Sequence, residues 1–426
     1  MAQDSGRVDP RAYYALGILT VVYTLNFIDR QIISILLPSI QDELLISDAQ
    51  AGYLAGTFFA VFYATLGIPI AIIADRGNRR NLIAVSLTVW SAMTALCGTA
   101  QNFVQLGLAR MGVGVGEAGC SPPAHSLISD YFPPKQRATA LGVYSLGISF
   151  GIMFGLFIGG KLDELYGWRN AFLIVGIPGV LLALIFRFTV WEPPRGHSES
   201  RETAEGRPSV FDTFRFLMRR RSFLHLAFGA ALSAFSGYGV VIWFPSFLAR
   251  THAMPIGDIG LWLGLILGIS GGAGIFFGGY ASDRFGLADA RWKLWTVVVA
   301  GLITLPFSIA VYLVDSAYVA LAIFVVPAAL SNFYQATSFA QTQSLANLRM
   351  RGVAAAVLLL IINIIGLGLG PSSVGELSDF LEPRFGTDSM RYALLLLNVI
   401  PLWSLWHFYR AGVHLPGDLA RADDPV

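Results

Sequence analysis

The chain has 426 residues, of which 55% are hydrophobic and only 13% charged, with a mean hydropathy of +0.61. Soluble domains carry about 25% charged residues, so this composition belongs to an integral membrane protein, and a net charge of +2 offers nothing to a nucleic-acid partner. The two cysteines, Cys97 and Cys120, stand in apolar runs without paired or metal-like spacing and read as small core residues.

Met1 to Pro10 is polar, and the apolar run behind it is too long and too charged inside for a cleaved signal, so it is expected to stay as a membrane helix. Twelve apolar segments follow, at 13–38, 49–74, 82–100, 103–126, 138–160, 170–191, 223–248, 256–281, 292–313, 317–339, 352–375 and 390–410. Each is long enough to cross a ~30 Å hydrocarbon core as a helix. The one long polar gap, from Glu192 to Arg221, carries Pro193, Pro194, Gly196 and a basic run at Arg219, Arg220 and Arg221. It divides the chain into an amino-terminal bundle, 1–191, a linker, 192–222, and a carboxyl-terminal bundle, 223–426. The expected architecture is all-α, with two six-helix bundles related by a pseudo-two-fold axis along the membrane normal. With the amino terminus inside, all but five of the 29 lysines and arginines fall on the cytoplasmic side or within the membrane. The five are Lys161, Arg169, Arg250, Arg384 and Arg391, so both termini are expected in the cytoplasm of a multi-pass inner-membrane protein.

Four ionisable groups lie at membrane depth: Asp29 and Arg30 in the first segment, Arg110 and Glu117 in the fourth. A bare charge there costs ~3 to over 10 kcal/mol, so such groups face partners or a water-filled cavity. In Arg110-Met-Gly-Val-Gly-Val-Gly-Glu117, positions 110, 114 and 117 share one helix face, which sets the two charges ~10 Å apart along a wall with Gly114 between them. Asp29 and Arg110 are at depths that agree within ~3 Å, and an Asp29–Arg110 pair fits. Glu117 lies deeper and would compete for the same arginine only if side chains or helices move. Since arginine keeps its proton, Asp29 and Glu117 are the groups that can titrate, and the three residues form a candidate proton switch. Arg30 points ~100° from Asp29 and either meets an anionic headgroup or closes the outer gate.

Segment five carries Gly142, Gly151, Gly155, Gly159 and Gly160, a spacing that lets a partner helix approach closely. Asp75-Arg76 closes the second segment and Asp283-Arg284 the eighth, an internal repeat in keeping with two bundles of one ancestry around a central cavity. Gly279 to Gly286 resembles the loop motif of the major facilitator superfamily. The first copy departs from it, with Ala71 and Asn78 at the glycine positions, and Asn78 is expected to take the left-handed backbone a glycine would supply. The Arg110 to Gly114 spacing, Asp130-Tyr-Phe-Pro-Pro-Lys-Gln-Arg137 and Gly167-Trp168-Arg169 add to the resemblance. Within the superfamily the chain resembles the spinster branch through Asn26-Phe-Ile-Asp-Arg30, Arg110 to Ala118, and Trp191 to Gly196.

The resemblance implies secondary transport by alternating access. The spinster likeness implies amphiphilic lipids as cargo, lysophospholipid or sphingolipid-like, driven by a proton gradient with no other cofactor. An exporter of amphipathic drug-like compounds shares the same motifs, and a non-coupled scramblase or receptor is the third reading. Asp75, Arg76, Arg79, Asp130, Asp283 and Arg284 form the expected cytoplasmic gate. The expected substrate contacts are Asn26, Arg30, Arg110, Glu117 and Ser121, with Phe235, Tyr238, Trp243, Asn332, Gln335, Phe339 and Asn363 from the second half. No buried nucleophile and base, no metal cluster and no nucleotide-binding loop is evident, which argues against an enzyme. Membrane lipids are the other expected contacts, and the protein is expected to be a monomer.

Overall fold

A computed structural model describes residues 8–195, 210–347 and 350–421, apart from the side chains at 68, 71, 72, 74–76 and 210. Every regular element among them is helical. The first half comprises α1 (Pro10–Leu44), α2 (Asp48–Gly52), α3 (Phe58–Arg76), α4 (Arg79–Cys97), α5 (Phe103–Glu117), α6 (Ser121–Tyr131) and α7 (Pro134–Thr189). The second comprises α8 (Val210–Met218), α9 (Arg221–His252), α10 (Ile256–Leu265), α11 (Gly271–Gly286), α12 (Trp292–Val311), α13 (Ala317–Leu330), α14 (Phe333–Ser344), α15 (Arg351–Ile362), α16 (Gly368–Phe385), α17 (Ser389–Leu397) and α18 (Val399–Leu419).

Local chemistry sets the breaks. Predicted segments 138–160 and 170–191 run on as one helix, α7, bent at Gly167, whose φ of 78° is open to glycine at little cost. The predicted segment 103–126 stops at Glu117 and resumes at Ser121, where Pro122 and Pro123 occupy positions that have no intrahelical donor to lose. Asn78 does not take the left-handed backbone expected of it. It is extended (φ −83°, ψ 111°), and its Oδ1 accepts the Asn81 N–H at 2.8 Å, capping α4.

π turns join α2 to α3 (Tyr53–Thr57), α10 to α11 (Ile266–Ser270) and α15 to α16 (Asn363–Leu367). They widen the helix where the halves meet. The first faces the third: a Cβ on Gly56 would lie 2.7 Å from the Leu367 carbonyl. Glycines make the same close approach elsewhere. Gly147, Gly151, Gly155 and Gly159 of α7 admit α1, with a Gly151 Cβ only 2.3 Å from that of Phe27. Gly160 admits α10, where a Cβ on Gly260 would lie 2.3 Å from the Leu156 carbonyl. The seam that the glycines predict is thus two seams, one inside the first half and one between halves.

Hydrogen bonds between the halves gather at one end. Arg250 of α9 makes a bidentate pair with Asp48 (2.8 and 2.6 Å) and also donates to Gln41 at 2.9 Å. Asp48 accepts further from Gln41 (2.7 Å) and Ser378 (2.6 Å). Asp379 of α16 accepts the Asp48 and Ala49 N–H groups, both at 2.9 Å, and so caps α2 from the other half. Tyr53 donates to Glu376, and Thr57 to the Gly368 carbonyl at 2.6 Å. At the opposite end, Arg79 is buried in a clasp of first-half groups: Asp130, Glu192 (2.9 Å), Ser126 (2.9 Å) and the Pro193 carbonyl (2.9 Å).

Candidate functional site

The α1–α7 glycine seam decides what α1 shows to the site. Ile28, Ile32 and Ile35 meet the α7 glycines, so Asn26 and Arg30, two positions off Ile28, project from the opposite face. Arg30 reaches Glu117 through Nη2 (2.5 Å) and Nε (3.1 Å), both to Oε2. The Glu117 side chain is fully buried and that of Arg30 12% exposed. The guanidinium lies 4.9 Å from the Phe27 ring centre, 4.9 Å from Phe59 and 4.8 Å from Tyr63. This aromatic box holds the cation by its π faces. Tyr238 of α9 brings a second-half phenol into the neighbourhood of Arg30.

The expected pairings need correction. Arg110 is buried as predicted, but its guanidinium donates to backbone, to the Leu54 carbonyl at 3.3 Å and the Asp29 carbonyl at 3.5 Å, and lies 5.4 Å from the Phe59 ring. Neither the Asp29 carboxylate nor Glu117 pairs with it, and the partner of Glu117 is Arg30. The Arg110–Gly114 spacing has a packing cause: a Gly114 Cβ would lie 2.6 Å from the Phe59 carbonyl, so glycine lets α3 bring its aromatics onto both arginines.

Around this pair lie buried polar atoms that close no hydrogen bond of full geometry: Asp29 Oδ1, Glu117 Oε1, Asn26 Nδ2, Arg110 Nη2, Trp90 Nε1 and Thr94 Oγ1. Trp90 and Thr94 of α4 flank Asp29, and Asn26 flanks Glu117. Two buried carboxylates, each facing polar side chains rather than a full set of closed hydrogen bonds, make this the candidate site.

The other predicted contacts divide. Ser121 faces Tyr23 and Tyr144. Phe235 backs onto Gly366 and Gly370 of the α15–α16 region. Trp243 is not a lining residue: it is fully buried and donates from Nε1 to the Pro371 carbonyl at 2.7 Å. Asn332 donates to the Ala328 carbonyl at 2.8 Å within its own helical path, and Gln335 lies beside Tyr334. Phe339 packs on the second-half core around Phe408, while Asn363 is buried in the third π turn. None of these four reaches Arg30 or Glu117 by a hydrogen bond. Of the expected gate, the side chains of Asp75 and Arg76 lie outside the described residues. Asp283 and Arg284 are exposed, and among the described residues they form no ion pair, whereas Arg79 and Asp130 are joined.

The Asp48–Arg250 cluster was not anticipated from sequence. The local signal was Ser47-Asp-Ala-Gln50, whose capping box is present and announces the start of α2. Burial acts to raise the Asp48 carboxyl, but the Arg250 guanidinium, with hydrogen bonds from Ser378 and Gln41, outweighs it and holds the group below the usual carboxylate range.

The Major Facilitator Superfamily profile matches residues 19–371. The chain belongs to that superfamily. An MFS-type efflux pump of Mycolicibacterium smegmatis is 36% identical over 391 residues, covering 91% of this chain and 89% of that protein. A hexuronate transporter of Bacillus subtilis is 28% identical over 294 residues, 67% of this chain and 68% of that one. Among solved structures, a bacterial homologue of the human lysosomal transporter spinster, in an inward-facing and unoccupied conformation, is similar with a TM-score of 0.89. It is 33% identical and covers 97% of this chain and 99% of that one. This facilitator is spinster-like, a multi-pass membrane transporter and not an enzyme.

Proposed function

We propose that this facilitator is a proton-coupled secondary transporter of amphiphilic lipids, lysophospholipid or sphingolipid-like, working by alternating access. The observation that carries the reading is the Arg30–Glu117 pair, buried in an aromatic box close to a second buried carboxylate, Asp29. A guanidinium among aromatic rings suits an anionic headgroup, and the same rings suit the first carbons of a tail. Protonation of Glu117 frees Arg30 for that headgroup, and binding of the headgroup frees Glu117 for a proton, so each event favours the other. Asp29, buried and faced by Trp90 and Thr94, is the second exchangeable site.

Twelve spans in two six-helix bundles, with both termini cytoplasmic, complete the proposal. The Asp48–Arg250 end is then the outer gate, closed, and the Arg79 end is cytoplasmic. The likeness to an inward-facing structure supports this assignment. The 36% identity to an efflux pump favours a second reading, export of amphipathic drug-like compounds. Flux in proteoliposomes, with and without an imposed pH gradient, tests both against a panel of lysolipids, sphingoid phosphates, cationic drugs and a hexuronate. Lysolipid flux that follows the gradient in wild type and ignores it in Glu117→Gln supports the reading. Gradient-driven flux of the cationic drugs alone would replace it with the second.

A further inference from the structure

We infer that the start of α9 and the end of α18 hold a binding site for an anionic phospholipid, separate from the transport path and independent of which substrate is carried. Arg219, Arg221, His414, Asp418 and Arg421, with Val413 at the edge, line a pocket of ≈ 430 Å³. Its single acid is already engaged: Asp418 is 2% exposed, accepts the Ser222 N–H at 2.8 Å through Oδ2, and accepts Arg421 at 2.6 Å through Oδ1. Arg219 and Arg221 are exposed, and among the described residues neither forms an ion pair. Among the described residues the lining is therefore cationic, and its two exposed guanidiniums suit a phosphodiester. His414 is held at the wall by its ring, which stacks on His225 at 5.9 Å.

What joins the pocket decides for a lipid over a free phosphate. Trp403, Trp406, Tyr409 and Val413 run down one exposed face of α18 at three- and four-residue spacing, each at least 38% exposed. Phe228 of α9, 50% exposed, broadens the strip, and His225 packs edge-on to Trp406 at 5.5 Å. Val413 belongs to both strip and pocket. An outward aromatic strip ending in a basic pocket matches one molecule with acyl chains and an anionic head, and basic pockets between membrane helices are where such heads bind.

The full chain in detergent micelles is titrated with phosphatidylglycerol brominated on its acyl chains, and in parallel with brominated phosphatidylcholine, reading tryptophan quenching. Phosphatidylglycerol quenches saturably and phosphatidylcholine weakly, and Trp403→Phe with Trp406→Phe removes most of the difference. At roughly fivefold per arginine near an anionic lipid, the Arg219→Gln, Arg221→Gln variant shifts half-saturation roughly 30-fold. The Arg219→Lys, Arg221→Lys variant, which keeps the charge, retains most of the binding and covers the case in which the glutamine variant fails to fold. Equal quenching by the two lipids, or an unchanged midpoint in the glutamine variant, overturns the site. Loss of quenching on adding inorganic phosphate at the lipid's concentration overturns the lipid assignment and gives the pocket to free phosphate.

Discussion

Two of the molecule's arginine–carboxylate clusters, Arg30–Glu117 at 2.5 Å and Asp48–Arg250 at 2.6 Å, have nearly the same reach and opposite surroundings. The first joins α1 to α5 inside one half and spends both Arg30 contacts on one oxygen of Glu117, leaving the other to face Asn26 without a hydrogen bond of full geometry. The second joins α2 to α9 across the two halves and fills both oxygens of Asp48, with Gln41 and Ser378 completing the shell. A pair inside one half survives a rigid-body movement of the halves and is free to exchange proton or ligand in either state. A pair across the halves must break each time that end opens, so its strength sets a population. On the proposed function, the difference separates a coupling element from a latch.

The largest effect is expected at the coupling element. Removing the charge of Glu117 leaves Arg30 buried without its carboxylate, and breaking one side of such a pair costs about 3–5 kcal/mol. Glu117→Gln therefore lowers the thermal midpoint of the purified protein and flattens the dependence of flux on the pH gradient. Reconstituted Glu117→Gln with wild-type gradient dependence would make the pair merely structural and erase the contrast with Asp48.

At the latch, Asp48→Asn keeps hydrogen-bonding atoms but removes the charge opposite Arg250, at a cost on the order of 2 kcal/mol, which is roughly a 30-fold shift from closed toward open. A cysteine pair at positions 53 and 376, where Tyr53 and Glu376 now hydrogen-bond, reports the closed fraction by disulfide yield. The variant should cross-link less while its gradient dependence stays intact. The sign of the Asp48 shift supports this division. A depressed carboxyl contributes its stabilisation above the ordinary value, about 3.9, and loses it only as pH falls through the still lower folded value. The latch stays charged between pH 5 and 8, so a transport response in that window arises elsewhere.

A smaller effect follows from closing the space at the α7–α10 seam. A Cβ on Gly260 meets the Leu156 carbonyl at 2.3 Å, a backbone contact that no side-chain rotation relieves. Gly260→Val should part the halves here at a cost of ~1–3 kcal/mol and lower the same 53–376 yield with Asp48 and Arg250 intact. An unchanged yield would show that this seam moves independently of the latch.

How much of this was visible beforehand depends on the range of the cause. The face shared by Arg110, Gly114 and Glu117 follows from the helical period alone, and the buried charges on α5 lie where it puts them. The expected Asp29–Arg110 pair, with Glu117 competing for that arginine, gives way to Arg30–Glu117 because depth along α1 does not separate Asp29 from Arg30, and which of them faces α5 depends on rotation about the helix axis. That rotation is set by α7, whose glycines claim Ile28, Ile32 and Ile35, and no local pattern on α1 states it. The latch was hidden for a related reason: Asp48 follows the Ser47 cap and Arg250 stands only among the outer-side basic residues, and only the closure of the two halves makes them a pair. The superfamily fold itself was legible through its motifs, with the caps and bends departing locally, as at Asn78 and Gly167.

Trp243 provides the finest test of the division between lining and scaffold. Counting aromatics in segment seven places it with Phe235 and Tyr238 as a substrate contact, yet its indole is fully buried and its N–H is satisfied by the Pro371 carbonyl at 2.7 Å. Gly375 also packs beneath it, with a Cβ position 3.0 Å from the indole edge. Trp243→Phe keeps most of the apolar volume and removes one hydrogen bond, leaving a buried carbonyl open, which costs ~1 kcal/mol. The expected result is a lower thermal midpoint with unchanged substrate affinity and unchanged gradient dependence. Tyr238→Phe, one turn away and in the neighbourhood of Arg30, should show the reverse: an intact midpoint with altered affinity for the anionic headgroup. If instead Trp243→Phe alters affinity and spares the midpoint, the α9–α16 seam is part of the transport path, and the scaffold of the latch extends into the coupling site.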